Sequence, residues 1–235
     1  MYRLFTSLLN VLYPPTCITC KKECFDANLL CERCWSNIAF VTRAYCNKCG
    51  MSFVSNNHIC LCTEEHCINE NHVYHSTRSI IEYNDIAKEL IKRLKFYAKF
   101  EVLKLFKNWF NCVLKKYDYR EIDYIVPVPL HKQKLTKRGY NQTEILAKII
   151  SRVIKKKYHP KLLLKVKNTS NQSDLKKNAR ERNLVNAFDI YHGNAHILKN
   201  KKILLVDNIT QTHTLTRSRF LINHISNFHI KVQIG

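Results

Sequence analysis

Apolar and polar positions alternate regularly over the later two thirds of the chain. Four apolar runs predict buried strands, at residues 122–128, 162–166 and 203–207 and from His229 onward. Segments with helical spacing separate them, at residues 142–154 and around residues 215–225. Because strands that alternate with helices form parallel sheets, the pattern predicts an α/β domain whose functional site lies at the carboxyl ends of the strands.

The segment before the first of these strands has the pattern of a basic amphipathic helix or a helical pair. In residues 81–110, apolar side chains recur at helical intervals from Ile86 to Tyr97, and lysines occupy the neighbouring faces. Such lysines are either simply solvated or bind a polyanion. The candidate nucleic-acid contacts are Lys92, Arg93, Lys95 and Lys99.

Cysteine dominates the first third of the chain. Ten of the eleven cysteines precede residue 68, and Cys17-x-x-Cys20 and Cys31-x-x-Cys34 form two pairs that are ten residues apart. A tight turn aims both thiolates of a pair at one ion, so this spacing predicts a four-cysteine zinc ribbon. Four thiolate ligands leave no open coordination position, and the zinc is therefore expected to be structural.

A second cysteine cluster predicts a second structural zinc ion. Cys46-x-x-Cys49 opens the cluster, and Cys67 closes it together with either Cys62 or Cys60. We take Cys62 as the candidate ligand with Cys60 as the alternative, and His58 or His66 could substitute, although a loop histidine is more commonly solvated. Two cysteines fit neither cluster, and each is expected to be a buried small side chain or an idle thiol: Cys24 and Cys112.

Composition indicates a globular chain. A hydrophobic content of 46% can fill one full-sized domain and a small one. No apolar run reaches about 18 residues, so no transmembrane helix is expected. The opening residues lack a small-residue cleavage site, so they predict a short amphipathic helix packed on the protein and a cytoplasmic location. Cysteines stay reduced in the cytoplasm, which favours zinc over disulfides.

The net charge of +21 is unevenly distributed along the chain. Residues 1–75 contain six basic and six acidic side chains, so residues 76–235 hold the other 33 Lys or Arg and 12 Asp or Glu. This asymmetry favours a polyanionic partner for the second part, most simply nucleic acid, although Lys-rich compositional bias has the same signature. Charge and cysteine content together predict two domains, at residues 1–75 and 76–235.

Three segments of the second part resemble the ComF family. The segments are "PVPLHKQKLTKRGYNQ", "NTSNQSDLKKNARERNLVNAF" and "ILLVDNITQTHTL", and they follow the two ribbons in the order typical of that family. The resemblance covers nearly the whole chain. It implies a double zinc ribbon, a phosphoribosyltransferase-like domain, and a role in competence-type DNA uptake or in the use of DNA as a nutrient. It also implies that the ribbons recruit a helicase or another uptake protein.

Several motifs of the family are intact. The family's "RGxNQ" element matches Arg138, Gly139, Tyr140, Asn141 and Gln142. Its "TxxQxxL" element matches Thr169, Gln172 and Leu175, and its "RxxN" element matches Arg180 and Asn183. The resemblance implies that these residues belong to the functional site.

The phosphate loop departs from the family pattern "VDDVxTTGATL". In that pattern two acids hold ribose hydroxyls, and a Thr/Gly turn presents backbone amides to the 5-phosphate of phosphoribosyl diphosphate (PRPP). The corresponding residues here are Asp207, Asn208, Thr210, Gln211, Thr212 and Thr214. His213 stands near the glycine position, one residue is missing, and Asn208 weakens any contact through Mg²⁺. These changes predict weak binding of PRPP and Mg²⁺ and leave transferase activity open.

Two functions are compatible with these features. The leading hypothesis is a cytoplasmic protein of DNA uptake that binds single-stranded DNA through its basic domain, with exposed aromatic residues such as Phe96 or Trp109 stacking on bases. The alternative is a phosphoribosyltransferase of nucleotide salvage. That enzyme requires the loop that is altered here.

Overall fold

The computed structural model describes residues 14–24, 29–41, 45–46, 74–96, 101–170, 177–191, 195–198, 200–208 and 228–233. The predicted amino-terminal helix and the predicted helix around residues 215–225 lie outside this part of the chain. In chain order, the elements are α1 (Glu32–Ser36), β1 (Tyr74–Ser79), α2 (Asp85–Phe96), α3 (Val102–Val113), a 3₁₀ turn (Leu114–Lys116), β2 (Tyr124–Pro127), α4 (Lys132–Arg138), α5 (Gln142–Ile154), β3 (Lys157–Tyr158), β4 (Leu163–Lys165), α6 (Lys177–Leu184), β5 (Phe188–Ile190), α7 (Ala195–Leu198), β6 (Ile203–Val206) and β7 (Phe228–Gln233).

A five-stranded sheet forms the centre of the second part of the chain. Its strand order is β1-β7-β6-β2-β3, and every neighbouring pair is parallel. The parallel α/β sheet predicted from the alternating pattern is therefore confirmed. Every residue of β6 is buried, as expected for a central strand whose two faces are both covered.

The pattern of apolar residues did not predict β1 and β3. β1 has the polar sequence YHSTRS, and its small side chains Ser76, Thr77 and Ser79 are buried. β3 is only two residues long. Both are edge strands, which need no continuous apolar run, so hydrophobic periodicity carries little signal for either.

The apolar run at residues 162–166 does form a strand, but this strand stands outside the parallel sheet. β4 pairs antiparallel with β5 in a separate two-stranded sheet. Leu162 and Leu163 pack there against Phe188 and Ile190 in a hydrophobic cluster of their own. A buried apolar run indicates a strand but not its partner, which is why the sequence could not place it.

The helical pair predicted within residues 81–110 is confirmed as α2 and α3. Leu90 and Leu94 lie on the buried face of α2, and Phe106 and Phe110 on the buried face of α3. Both faces pack in one cluster with residues of α5. Apolar spacing alone is sufficient to find such helices because each must bury one stripe of its surface.

The first ribbon shares this hydrophobic cluster. Cys17, Ile18 and Leu30 belong to the same buried group as the inner faces of α2, α3 and α5. The backbone amide of Val41 also donates to the carbonyl of Ile80 (3.1 Å), just beyond β1. The ribbon is therefore packed directly onto the α/β part, and the boundary at residue 75 stays a prediction.

Candidate zinc site and carboxyl edge

The four cysteines predicted to form the first zinc site converge as a metal site would require. The Sγ atoms of Cys17, Cys20, Cys31 and Cys34 all lie within 4.8 Å of one another, and those of Cys20 and Cys31 are 3.6 Å apart. Zinc–sulfur bonds of about 2.3 Å in a tetrahedron place the sulfur atoms about 3.8 Å apart. The donor set and its spacing therefore fit one structural zinc ion.

Local backbone geometry builds each half of this site. The amide of Lys21 donates to the carbonyl of Cys17 (3.0 Å), which closes the tight turn between the first two cysteines. Cys31 precedes α1, and the first helical turn carries Cys34 back to the same point. Burial opposes ionisation of Cys17, but hydrogen bonds from Thr19 and from neighbouring backbone groups outweigh it and lower the pKa of that thiol to about 5. Cys17 therefore readily supplies a thiolate, whereas burial raises the pKa of Cys34 to about 12, so metal binding has to release the proton of that thiol.

Cys24 lies beside the cluster without belonging to it. Its thiol is buried, and burial together with the nearby Cys17 raises its pKa to about 11. It donates to the carbonyl of Lys22 (3.6 Å), so it is held as a neutral thiol. Cys112 is an exposed thiol on α3. Of the predicted second site, the structure describes Cys46, whereas Cys49, Cys60, Cys62, Cys67, His58 and His66 lie outside the described residues.

The four candidate nucleic-acid residues do not share one environment. Arg93 is buried, forms an ion pair with Glu89 (2.8 Å), and contacts the carbonyl of Thr19 in the first ribbon (3.5 Å). Lys92 points to solvent, Lys95 is half-buried, and Lys99 lies outside the described residues. Arg93 thus joins α2 to the ribbon.

The sheet has a topological switch point between β2 and β6. From β2 the chain continues to β3 on one side, and from β6 it continues to β7 on the other. In open parallel sheets such a point is where ligands bind, at the carboxyl ends of the strands. Here Val128 follows β2 and Asp207 follows β6. We call the surface formed by these strand ends, α4 and the segment from β4 to Thr169 the carboxyl edge.

The "RGxNQ" motif holds the backbone at this edge. The Asn141 side-chain amide (3.1 Å) and the Thr143 hydroxyl (2.6 Å) both donate to the carbonyl of Val128. Gly139 has φ 81°, which allows the sharp turn between α4 and α5, and the Arg138 guanidinium donates to Gln142 (2.7 Å). The motif is thus a scaffold for the end of β2. Sequence reasoning missed Thr143, although its position two residues after the Asn141 N-cap is a usable signal.

The other matched motif residues fasten α6 to the segment after β4. Asn183 accepts from the amide of Ser170 (3.3 Å) and donates to its carbonyl (3.2 Å). The Lys134 ammonium donates to the carbonyl of Thr169 (2.8 Å), which ties α4 to the same segment. Gln172, Leu175 and the side chain of Arg180 lie outside the described residues.

Two residues of the carboxyl edge have buried side-chain polar atoms without a hydrogen-bond partner among the described residues. Asn208 is only 2% exposed, and within the described part of the chain neither its side-chain nitrogen Nδ2 nor its side-chain oxygen Oδ1 has a hydrogen-bond partner. The buried Thr169 hydroxyl also has no hydrogen-bond partner within the described residues. Leaving such groups unpaired costs about 1–3 kcal/mol each, so Asn208 and Thr169 favour a hydrogen-bonding ligand at this edge. Of the loop predicted to bind PRPP, only Asp207 and Asn208 are described; Thr210, Gln211, Thr212, His213 and Thr214 are not.

Two partly buried lysines interact with Asp207. Burial lowers the pKa of Lys95, an effect that Asp207 opposes and Arg138 reinforces. Burial also lowers the pKa of Lys165 to about 8, where Lys134 adds to the effect and Asp207 again opposes it. Lys95 and Lys165 thus both interact with Asp207. Arg138 and Lys134 act on these two lysines, and the excess of cations in this region favours an anion.

The two edges of the sheet differ in charge pairing. At the amino edge, where β2 and β6 begin, acidic and basic side chains pair: Asp118 with Arg120, Asp123 with Lys201, and Glu121 with Lys202. At the carboxyl edge, Lys132, Lys137 and Lys167 are exposed and have no ion pair within the described residues. These three lysines leave unpaired positive charge at the carboxyl edge, although exposed lysines without an ion pair also lie elsewhere among the described residues, Lys155 and Lys157 among them.

Comparisons with known proteins agree with this architecture. The double zinc ribbon domain family matches residues 8–67. The chain is 29% identical to competence protein ComFC of Bacillus subtilis over 78% of this chain and 72% of that protein. It is 26% identical to competence protein F of Haemophilus influenzae (92% and 94% covered) and 23% identical to the DNA utilization protein YhgH of Escherichia coli (78% of each).

No solved structure matches the chain significantly. Within the described residues, none of the helices has the length and apolar content needed to cross a membrane.

Proposed function

From the premise that the chain belongs to the ComF family, we propose that it acts in DNA uptake or utilisation and binds single-stranded DNA along its carboxyl edge. The relatives are named for competence and for DNA utilization, which supports the biological role. The binding surface is supported by the exposed lysines without an ion pair at the carboxyl edge, and the observation that carries it is their position beside the switch point of the sheet. Exposed, unpaired lysines attract phosphates because binding releases condensed counterions.

The proposal includes two structural zinc ions and the cytoplasm. The cysteine cluster described above supports the first ion, and the match to the double ribbon family supports the second. Thiolate ligands persist where cysteines stay reduced, which favours the cytoplasm. The nearly neutral ribbons are then available to dock a helicase or another uptake protein.

A matched pair of double variants tests the DNA-binding surface. Replacing Lys132 and Lys137 with Gln removes two exposed charges from α4 at the carboxyl edge. Replacing Lys155 and Lys157 with Gln removes two exposed charges beside the amino edge. For single strands, each lost phosphate contact flattens the log–log salt dependence by about 0.7. We expect a slope flatter by about 1.4 for the first variant and an unchanged slope for the second, measured by fluorescence anisotropy; equal effects would contradict the proposal.

A phosphoribosyltransferase of nucleotide salvage is the second candidate function. It is favoured by the position of Asp207 and Asn208 at the switch point of the sheet. Calorimetric titration with PRPP, with and without Mg²⁺, tests this candidate, and tight binding would favour it.

A further inference from the structure

Phe96 is an exposed aromatic residue at the end of α2. Its side chain is 66% exposed, the largest exposure among the large hydrophobic residues described. The Arg138 guanidinium lies over the ring at 5.3 Å from its centroid. Trp109, the other described aromatic residue considered for stacking, is 3% exposed and packs against Phe40 and Phe106. Phe96 alone of these two is available to a ligand.

The surroundings of Phe96 hold it in place. Arg138 is fixed by its hydrogen bond to Gln142 (2.7 Å). The Tyr140 hydroxyl donates to the carbonyl of Leu94, which ties the last turn of α2 to the turn between α4 and α5. Because these contacts exist before any ligand arrives, little ordering cost remains for binding to the ring.

The ring also adjoins the anion-favouring region. Lys95, its neighbour in sequence, interacts with Asp207, and Arg138 reinforces the positive charge there. A ligand that places a flat ring on Phe96 therefore has cations within reach for its phosphates. Single-stranded nucleic acid combines these two features, since its bases are unpaired and its backbone is anionic.

We propose that the Phe96–Arg138 pair is a stacking site for one unpaired base of single-stranded DNA. This inference rests on the proposed function and assigns it a specific contact. The base lies on the open side of the Phe96 ring, while Arg138 covers the other side and neighbouring lysines bind phosphates. A phenyl ring offers no hydrogen bonds, so the site selects unpaired bases over duplex without reading sequence.

Variants of Phe96 in the full-length zinc-loaded protein test the site. Phe96→Leu keeps an apolar side chain but removes the aromatic face, and we expect about tenfold weaker binding of a single-stranded oligonucleotide. The salt dependence is expected to stay unchanged, because no charge is removed. Phe96→Trp should retain the affinity and show quenched fluorescence on binding. The control is Tyr83→Ala, which removes a 42% exposed aromatic residue near the opposite end of α2 and should bind as the wild type does.

An abasic oligonucleotide of the same length completes a double-mutant cycle. It keeps the phosphates and lacks the bases, so the wild type and Phe96→Leu are expected to bind it equally. Equal binding of the normal oligonucleotide by the wild type and Phe96→Leu would overturn the stacking site and leave the proposed function standing. No binding of single strands by the wild type would overturn both.

Discussion

Lys165 carries a charge at the carboxyl edge that depends on pH. Its ammonium lies on β4 over the Phe188 ring (5.4 Å to the centroid), and burial lowers its pKa to about 8. A phosphate binds the protonated amine, so Lys165 contributes to anion binding below that pKa and loses the contribution as the pH rises through it. By linkage, a bound phosphate raises the pKa of the amine.

We therefore expect the affinity for single-stranded DNA to fall between pH about 7 and about 9, as Lys165 loses its proton. Lys165→Gln should bind more weakly at the lower pH and should lose less affinity across this range than the wild type. Lys132→Gln, which removes an exposed lysine of the same edge, serves as the control and should keep the wild-type pH dependence. Anisotropy titrations at constant ionic strength measure both. A pH profile that Lys165→Gln leaves unchanged would exclude this role.

Residues with the same sequence pattern can have different environments. Arg93 and Lys95 both fit the basic stripe predicted on α2, yet Arg93 pairs with Glu89 and contacts the ribbon, whereas Lys95 interacts with Asp207. Helical periodicity gives the angle of a side chain around its helix but not what packs there. The motif match likewise located Asn141 without indicating that it holds the carbonyl of Val128.

Among the helices and strands, those that bury many apolar residues were the ones that the sequence pattern predicted. The core helix α5 has the predicted bounds, and β2 and β6 lie within the predicted runs, because buried elements require apolar periodicity. The polar edge strand β1 and the two-residue β3 lack that signal. The cysteine spacing located the first metal site, since two short turns fix the ligands locally whatever surrounds them.

The first ribbon and the helices share one hydrophobic cluster, so their stabilities should be coupled. Sequence composition alone suggests a ribbon that unfolds separately. Because Cys17 and Ile18 pack with the inner faces of α2 and α3, loss of the metal should expose part of that common core. Arg93 adds a direct link through the carbonyl of Thr19.

We expect about two zinc ions per chain, and about one in Cys34→Ser, by elemental analysis. The melting temperature of Cys34→Ser should fall by several degrees for the α/β part as well, because the cluster is continuous. Cys112→Ser, which alters an exposed thiol outside the metal cluster, should keep both the zinc content and the melting temperature. Unchanged melting of the α/β part in Cys34→Ser would show that the two parts are independent after all.

For the whole molecule, the net charge does not tell on which face of the fold the charged residues lie. The sequence assigns the entire +21 to residues 76–235 but not to a face of the fold. In the structure, Lys201 and Lys202 at the amino edge pair with Asp123 and Glu121, whereas Lys132 and Lys137 on α4 have no ion pair within the described residues. At the carboxyl edge, Asn208 and Thr169 also have buried side-chain polar atoms without a hydrogen-bond partner among the described residues.

Lysine footprinting on the full chain tests this division directly. Single-stranded DNA should protect Lys132, Lys137 and Lys167 from acetylation, because phosphates bound at the carboxyl edge cover these amines. Lys155 and Lys157 should react equally with and without DNA, and so should Lys21 and Lys22 of the first ribbon. Protection should weaken as salt rises, since counterion release drives the binding, with a log–log slope of about −0.7 for each phosphate contacted. Mass spectrometry of the acetylated peptides gives the pattern. Uniform protection of all these lysines would mean that DNA binds through net charge alone, and protection of the ribbon lysines only would move the binding surface to the zinc site.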